Sequence, residues 1–188
     1  LDIAHERGVV VVAASGNNNK DVPTWPCSHA AVICVGAIDG QGALTEFSNH
    51  GGRVDLVAPG EWIVSTIPMR MESYGLRING YDVKNGSSQA APFVAAAAAL
   101  LKLQNPEITT NEVKLRLYGT AKKIKSDSEG RFVRFGALSL NDALNTKPAP
   151  MASLMVKNLT TVGVDKDGKF SFELPLEILG DTKTQPRV

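Results

Sequence analysis

The chain has 188 residues, with 20 Lys+Arg against 19 Asp+Glu and a formal charge of +1. That balance excludes the basic surplus a nucleic-acid binder concentrates on one face, and 43% hydrophobic with 21% charged residues excludes disordered and collagen-like classes. No apolar run approaches the ~20 residues needed to cross a bilayer, so no membrane partner is expected, and the length suits one domain or a little more.

Asp2 to Arg7 reads as the close of a helix, unlike a signal peptide, and the sequence is expected to start inside a domain. Gly8 to Asn17 follows, with Val9-Val10-Val11-Val12 in an unbroken run. Four valines without alternation predict a strand buried on both faces, as in a parallel sheet under helices. It ends in the turn chemistry of Ser15-Gly16-Asn17-Asn18-Asn19. Short strands are predicted at Val32–Ala37, Val54–Val57 and Ile63–Ser65. Cys27 and Cys34 are the two cysteines. A largely extended connection would hold their sulfurs roughly 20 Å apart, and a bridge needs Cα atoms within about 7 Å, so no mutual disulfide is expected.

Asn85-Gly86-Ser87-Ser88 is a polar turn. A helix is expected to begin near Ser88, because Pro92 is tolerated in a first helical turn, and to stop at Asn105-Pro106. Its alanines, apolar all round, predict a helix buried in the middle of the protein. Thr109-Thr110-Asn111-Glu112 is a capping box opening a helix to about Lys122 that buries Val113 and Leu117. A last helical segment lies near Leu140–Leu144. Lys147-Pro148-Ala149-Pro150 is a stiff linker-like stretch. Beyond it Leu154–Val156 and Lys169–Leu176 read as strands, with Asp165-Lys166-Asp167-Gly168 as a hairpin turn.

Two segments carry chemistry. A serine at the mouth of a helix stands among outward N–H groups and the positive end of the helix dipole. An oxyanion needs that environment, although a serine there also suits a plain N-cap. Ser15-Gly16-Asn17 ends a strand at the sheet edge where open α/β folds place their sites. An Asn amide there can donate to an oxyanion, or simply accept a left-handed turn.

Taken together, Val9 to Asn17 resembles the oxyanion-hole segment of the subtilisin-like serine proteases. Gly86-Ser87-Ser88-Gln89-Ala90-Ala91-Pro92 resembles their nucleophile motif, usually Gly-Thr-Ser-Met-Ala-x-Pro. Trp25-Pro26-Cys27, Val32 to Ala37, Phe47-Ser48-Asn49, Asp55 to Gly60 and Arg134 to Leu144 match further blocks in order. The resemblance covers residues 1 to about 145. It implies an α/β fold with a mostly parallel sheet flanked by helices, truncated at the N-terminus. Residues 1–146 would be the C-terminal part of the peptidase domain. Residues 147–188 would be a linker and the start of a β-rich extension.

The resemblance implies Ser88 as nucleophile, with Asn17 and the Ser88 backbone N–H as oxyanion donors. Ala14, Ser15 and Gly16 would wall the pocket for the residue before the scissile bond, with Thr24 near its base, and would offer backbone edges to an extended peptide. Asn85 and Phe47 would sit on the leaving-group side. Ser87, Gln89, Phe93 and Ala96 depart from the usual Thr, Met, His and Gly.

The mechanism needs an Asp and a His that precede the Ser in this family, and no block here matches them. His5, His29 and His50 are poor candidates for the base. The expectation is a serine endopeptidase whose Asp and His lie on upstream residues, so that this chain alone is inactive. The alternative is a non-catalytic module retaining the fold. A lipase-type hydrolase is disfavoured, because no His follows Ser88.

Protein or peptide would be the substrate, and the other half of the catalytic domain a partner. Catalysis requires no cofactor. The family often binds structural calcium, but no carboxylate cluster nominates a site; Asp165 to Gly168 lacks the remaining ligands of a calcium loop. Asn158-Leu159-Thr160 fits a glycosylation sequon by chance-level pattern. A secreted or cell-envelope location is expected from the resemblance alone.

Overall fold

The structure, a computed structural model, describes residues 1–22, 24–68, 80–124 and 129–146, together with strand segments 153–156, 162–164, 170–172 and 176–179. The hairpin turn at Asp165 to Gly168, the sequon at Asn158 and the Lys147–Pro150 stretch lie outside the described residues. The chain divides into two compact units, Leu1–Pro148 and Ala149–Val188.

The first unit is built on a parallel sheet. Strands β1 (Val11–Ala14), β2 (Val32–Ile38), β3 (Leu56–Pro59) and β6 (Gly136–Ala137) lie side by side in that order, and every neighbouring pair is parallel. β4 (Ile63–Thr66) and β5 (Tyr81–Lys84) form a separate antiparallel pair. The helices are α1 (Asp2–Glu6), α2 (Ser87–Gln104), α3 (Thr110–Gly119) and α4 (Leu140–Asn145).

Alternation along the strands sorts side chains into two cores, because successive residues of a strand point to opposite faces. Ile33, Val35, Ala37, Leu56 and Ala58 face one side. There they pack with Ala90, Val94, Ala97 and Leu101 of α2, Val113 and Leu117 of α3 and Ala143 of α4. Cys34, Val57, Cys27, Leu44 and Val54 form the second core on the other side. β2 is buried along its whole length. The predicted capping box at the head of α3 is present in full: the Thr109 hydroxyl accepts from the Glu112 N–H, and the Glu112 carboxylate accepts from the Thr109 N–H.

Four expectations need correction. The valine run is not buried on both faces: β1 starts two residues later than predicted, is half-buried throughout, and Val9 is exposed. β1 stands at an edge of this sheet. α2 is not buried all round. Ala90, Val94, Ala97, Ala98 and Leu101 make one buried stripe, while Phe93, Leu100 and Leu103 on the opposite side are exposed. Alanine content does not reveal which face a helix buries. Pro92 is not in the first turn either, because α2 begins at Ser87. Having no N–H, it leaves the Ser88 carbonyl without its usual i+4 donor.

The fourth correction is the disulfide. Cys27 and Cys34 are bonded, with Cα atoms 4.8 Å apart. The connection is turned rather than extended. Ser28 N–H donates to Thr24 O at 2.8 Å, His29 N–H to Pro26 O at 3.0 Å and Val32 N–H to His29 O at 3.0 Å. These turns bring Cys27 back beside β2.

In the second unit, β7 (Ser153–Val156) pairs antiparallel with β10 (Leu176–Leu179), and β8 (Val162–Val164) pairs antiparallel with β9 (Phe170–Phe172).

Candidate active site

The carboxyl end of β1 and the first turn of α2 meet through side chains and backbone together. Asn17 Oδ1 accepts from both the Ser87 N–H and the Ser87 hydroxyl, each at 2.8 Å. The Ser87 oxygen in turn accepts the Gly16 N–H at 3.1 Å. With its oxygen engaged, Asn17 presents Nδ2, whose two hydrogens have no acceptor among the described residues. Asn17 and Ser88 are both exposed, whereas Ser87 is buried.

Gly86 defines where the donors converge. It caps α2 with φ 151° and ψ 159°, a region essentially reserved for glycine. A side-chain carbon at Gly86 would stand 3.1 Å from Asn17 Nδ2, 3.7 Å from the Ser88 backbone nitrogen and 2.8 Å from Gln89 Oε1. The bare glycine thus leaves only a narrow hollow, bordered by the Asn17 carboxamide nitrogen, the Ser88 backbone nitrogen and, nearest of all, Gln89 Oε1. Two such donors, with the dipole of an 18-residue helix behind them, favour a negative oxygen. Gly86 is fixed in turn by its N–H bonding Gly60 O at 2.8 Å and its carbonyl accepting the Gln89 N–H at 3.0 Å.

The serine that caps this site is therefore not Ser88. Gly86 is the N-cap and makes no side-chain cap bond. Ser87 binds Asn17, and Ser88, inside the first turn, carries a hydroxyl with no hydrogen-bond partner among the described residues.

The remaining candidates each have partners of their own. Ser15 is buried, and its carbonyl accepts the Thr24 hydroxyl at 3.1 Å and the Asn49 amide at 2.8 Å. Its N–H donates to Val35 O at 2.9 Å, and Gly16 O accepts the Asn49 N–H at 3.0 Å. The expectation that Ser15 and Gly16 offer free backbone edges to a peptide is therefore corrected: these groups are already hydrogen-bonded within the fold. Ala14 is half-buried at the end of β1. Phe47 is half-buried against the α2 core, and its carbonyl accepts the Asn19 N–H at 3.0 Å. Asn85 is exposed, and its Oδ1 receives the Trp62 N–H at 2.6 Å.

The histidines lie elsewhere. His5 on α1 meets the Thr110 hydroxyl at 3.3 Å. His29 stands 3.5 Å from the Asp2 carboxylate. His50 follows the Asn49 turn and donates its backbone N–H to Lys20 O at 3.2 Å.

A separate cavity of about 530 Å³ opens at the amino ends of β2 and β3, lined by Asp55, Lys114, Tyr118 and Arg134 among others. Burial pushes the Asp55 carboxyl up, against the opposing Cys34 N–H bond and the Arg134 charge. Burial likewise pushes Lys114 down and Tyr118 up. None of the residues named for catalysis or substrate lines this cavity. Among the described residues, no group of three or more His, Cys, Asp or Glu is placed to hold a metal ion, and no helix is long and apolar enough to cross a membrane.

The carboxyl edge of a parallel sheet thus brings a carboxamide to a serine at a helix mouth. The family model described as Subtilase family matches residues 1–147, and the chain belongs to that family. It is 38% identical over 144 residues to the thermophilic serine proteinase of Bacillus sp. (strain AK1), covering 77% of this chain and 33% of that protein. It is 38% identical over 126 residues to subtilisin BL of Lederbergia lenta, covering 67% of this chain and 44% of the relative. The chain thus spans less than half the length of these curated relatives. Among solved structures, the prenylagaramide maturation protease PagA superposes with a TM-score of 0.64 at 30% identity, covering 76% of this chain and 52% of that one. A lanthipeptide protease shares the fold with a TM-score of 0.67 at 21% identity.

Asn49, in the sequence only the last letter of a matching block, has a side chain fully buried against the Ser15–Lys20 loop.

Proposed function

We propose that the chain carries the nucleophile half of a serine endopeptidase site, hydrolysing peptide bonds through an acyl-enzyme on Ser88. The Ser88 hydroxyl attacks the scissile carbonyl, and the new oxyanion accepts hydrogen bonds from Asn17 Nδ2 and the Ser88 N–H. The observation that carries this reading is the hollow at Gly86, which Asn17 Nδ2 and the Ser88 nitrogen flank. Ser87 orients the amide by occupying Asn17 Oδ1, so that the nitrogen and not the oxygen faces the hollow.

The base is assigned to residues outside this sequence, with its orienting carboxylate. The partial coverage of the relatives supports that assignment, as do His5 at the Thr110 hydroxyl and His29 at the Asp2 carboxylate. Without that pair, residual catalysis comes from binding and the oxyanion hole alone, so residues 1–188 by themselves are inactive. Ala14, Ser15 and Gly16 form one wall of the pocket for the residue before the scissile bond, with Thr24 braced beneath through Ser15 O. Asn85 and Phe47 lie toward the leaving group.

Fluorophosphonate labelling tests the reading. In the longer polypeptide containing the proposed Asp and His, the adduct should map to Ser88 and vanish in Ser88→Ala, while residues 1–188 alone should not label. A folded longer polypeptide that never labels at Ser88 would defeat it.

A further inference from the structure

We propose that Asn49 is the positioning residue of the oxyanion hole: it holds both peptide units that flank Asn17, and acts on the reaction only through Asn17. The inference rests on the reading of Asn17 as an oxyanion donor.

The geometry is specific to an asparagine. Asn49 is 1% exposed and lies opposite the loop that follows β1. On the amino side of Asn17, the Gly16 carbonyl accepts the Asn49 backbone N–H at 3.0 Å. On the carboxyl side, the Asn18 N–H donates to Asn49 Oδ1 at 3.0 Å. With the planes before and after Asn17 both held, its φ and ψ are fixed by one neighbour. The same Oδ1 accepts the Lys20 N–H at 3.2 Å, and Nδ2 donates to Ser15 O at 2.8 Å. A side chain must therefore accept from two N–H groups and donate to one carbonyl. An amide does both; an ionised carboxylate cannot donate, and a hydroxyl cannot span all three.

Asn49 is itself anchored to the sheet. The adjacent Ser48 hydroxyl accepts the Ala37 N–H of β2 and donates to the Asn49 carbonyl, each at 2.9 Å. The Asn19 N–H to Phe47 O bond at 3.0 Å and the His50 N–H to Lys20 O bond at 3.2 Å extend the same pairing. Close approach is possible because Gly16 has no side chain: a Cβ there would lie 2.6 Å from Asn49 Nδ2. The donor is thus braced from two directions, by Ser87 through its own Oδ1 and by Asn49 through its backbone. Misplacing a catalytic group by about 1 Å can cost a hundredfold in rate.

The test is a double-mutant cycle on kcat in the longer polypeptide, using Asn17→Ala, Asn49→Ala and both together. Alone, Asn49→Ala should lower kcat by about 10- to 100-fold, with KM changed by less than about threefold. In the Asn17→Ala background the same substitution should change kcat by less than about twofold, because the group it positions is gone. Equal losses in both backgrounds, or no loss in either, overturn the proposal and leave the role of Asn17 standing. Unchanged kcat in Asn17→Ala removes the oxyanion reading and the proposal with it. Melting curves verify folding. If Asn49→Ala does not fold, Asn49→Ser, which removes the amide oxygen that accepts the Asn18 N–H, replaces it in the same cycle with the same two criteria.

Discussion

Gly86→Ala is a single methyl placed where the account locates the reaction's negative charge. Two effects follow. The backbone at φ 151° and ψ 159° is costly for any residue with a Cβ, about 1–3 kcal/mol. The new methyl also meets Gln89 Oε1 at 2.8 Å and Asn17 Nδ2 at 3.1 Å. Gln89 ends a flexible side chain and can swing away. Asn17 is held through Ser87 and cannot do so without breaking a 2.8 Å bond. The methyl therefore stays between the two donors and excludes the oxyanion. Loss of one such donor costs about 3–4 kcal/mol in the transition state, a figure that comes from a subtilisin itself. On that scale kcat should fall by about 10² to 10³, alongside a stability loss of about 1–3 kcal/mol. Urea unfolding followed by circular dichroism reads the second, and turnover of a peptide substrate by the longer polypeptide reads the first. A variant as stable as the parent and within twofold of its kcat would refute the reasoning. A destabilised variant with full turnover would refute the placement of the hollow alone.

Other consequences are nearer to the fold. Ser87→Ala removes one partner of Asn17 Oδ1 and the acceptor of the Gly16 N–H; we expect about 1–3 kcal/mol less stability and a lower kcat by turnover assay, with Ser87→Thr restoring both. Asp55 has a carboxyl pushed up by burial, so the folded state holds its proton over a window in which the unfolded chain has lost it. Its contribution to stability is then present at low pH and declines as pH rises from about 4 through the raised folded value. Urea unfolding of Asp55→Asn across pH 4–7 should lack that decline, and identical slopes in parent and variant would contradict it. With both cysteines in one bridge, the unreduced protein unfolded in denaturant should bind no thiol reagent. Replacing Cys27 and Cys34 together by alanine should cost about 2–3 kcal/mol in denaturant unfolding, the entropy of a short closed loop.

The sheet was largely legible because its signal is local: Val32 to Ala37 is an unbroken apolar run, and β2 is buried along its whole length. The capping box at Thr109 was legible for the same reason, since Glu112 lies within the same turn. What escaped was tertiary. The valine run predicted burial, but an edge position decides it. The Cys27–Cys34 bridge depends on three successive turn bonds between Thr24 and Val32, and the extended-chain estimate had no place for them. Asn49 bonds partners 29 to 34 positions away, a separation over which no periodicity operates. The motif around Ser88 did not disclose the bonding in its helix turn, where Ser87, and not Ser88, donates to Asn17 Oδ1.

The most direct measurement is a crystal structure of the longer polypeptide inhibited by a fluorophosphonate. The account predicts phosphorus bonded to Ser88 Oγ, with one phosphoryl oxygen about 2.7–3.1 Å from both Asn17 Nδ2 and the Ser88 nitrogen. An adduct on another side chain, or an oxygen turned toward solvent with Asn17 unengaged, would contradict it.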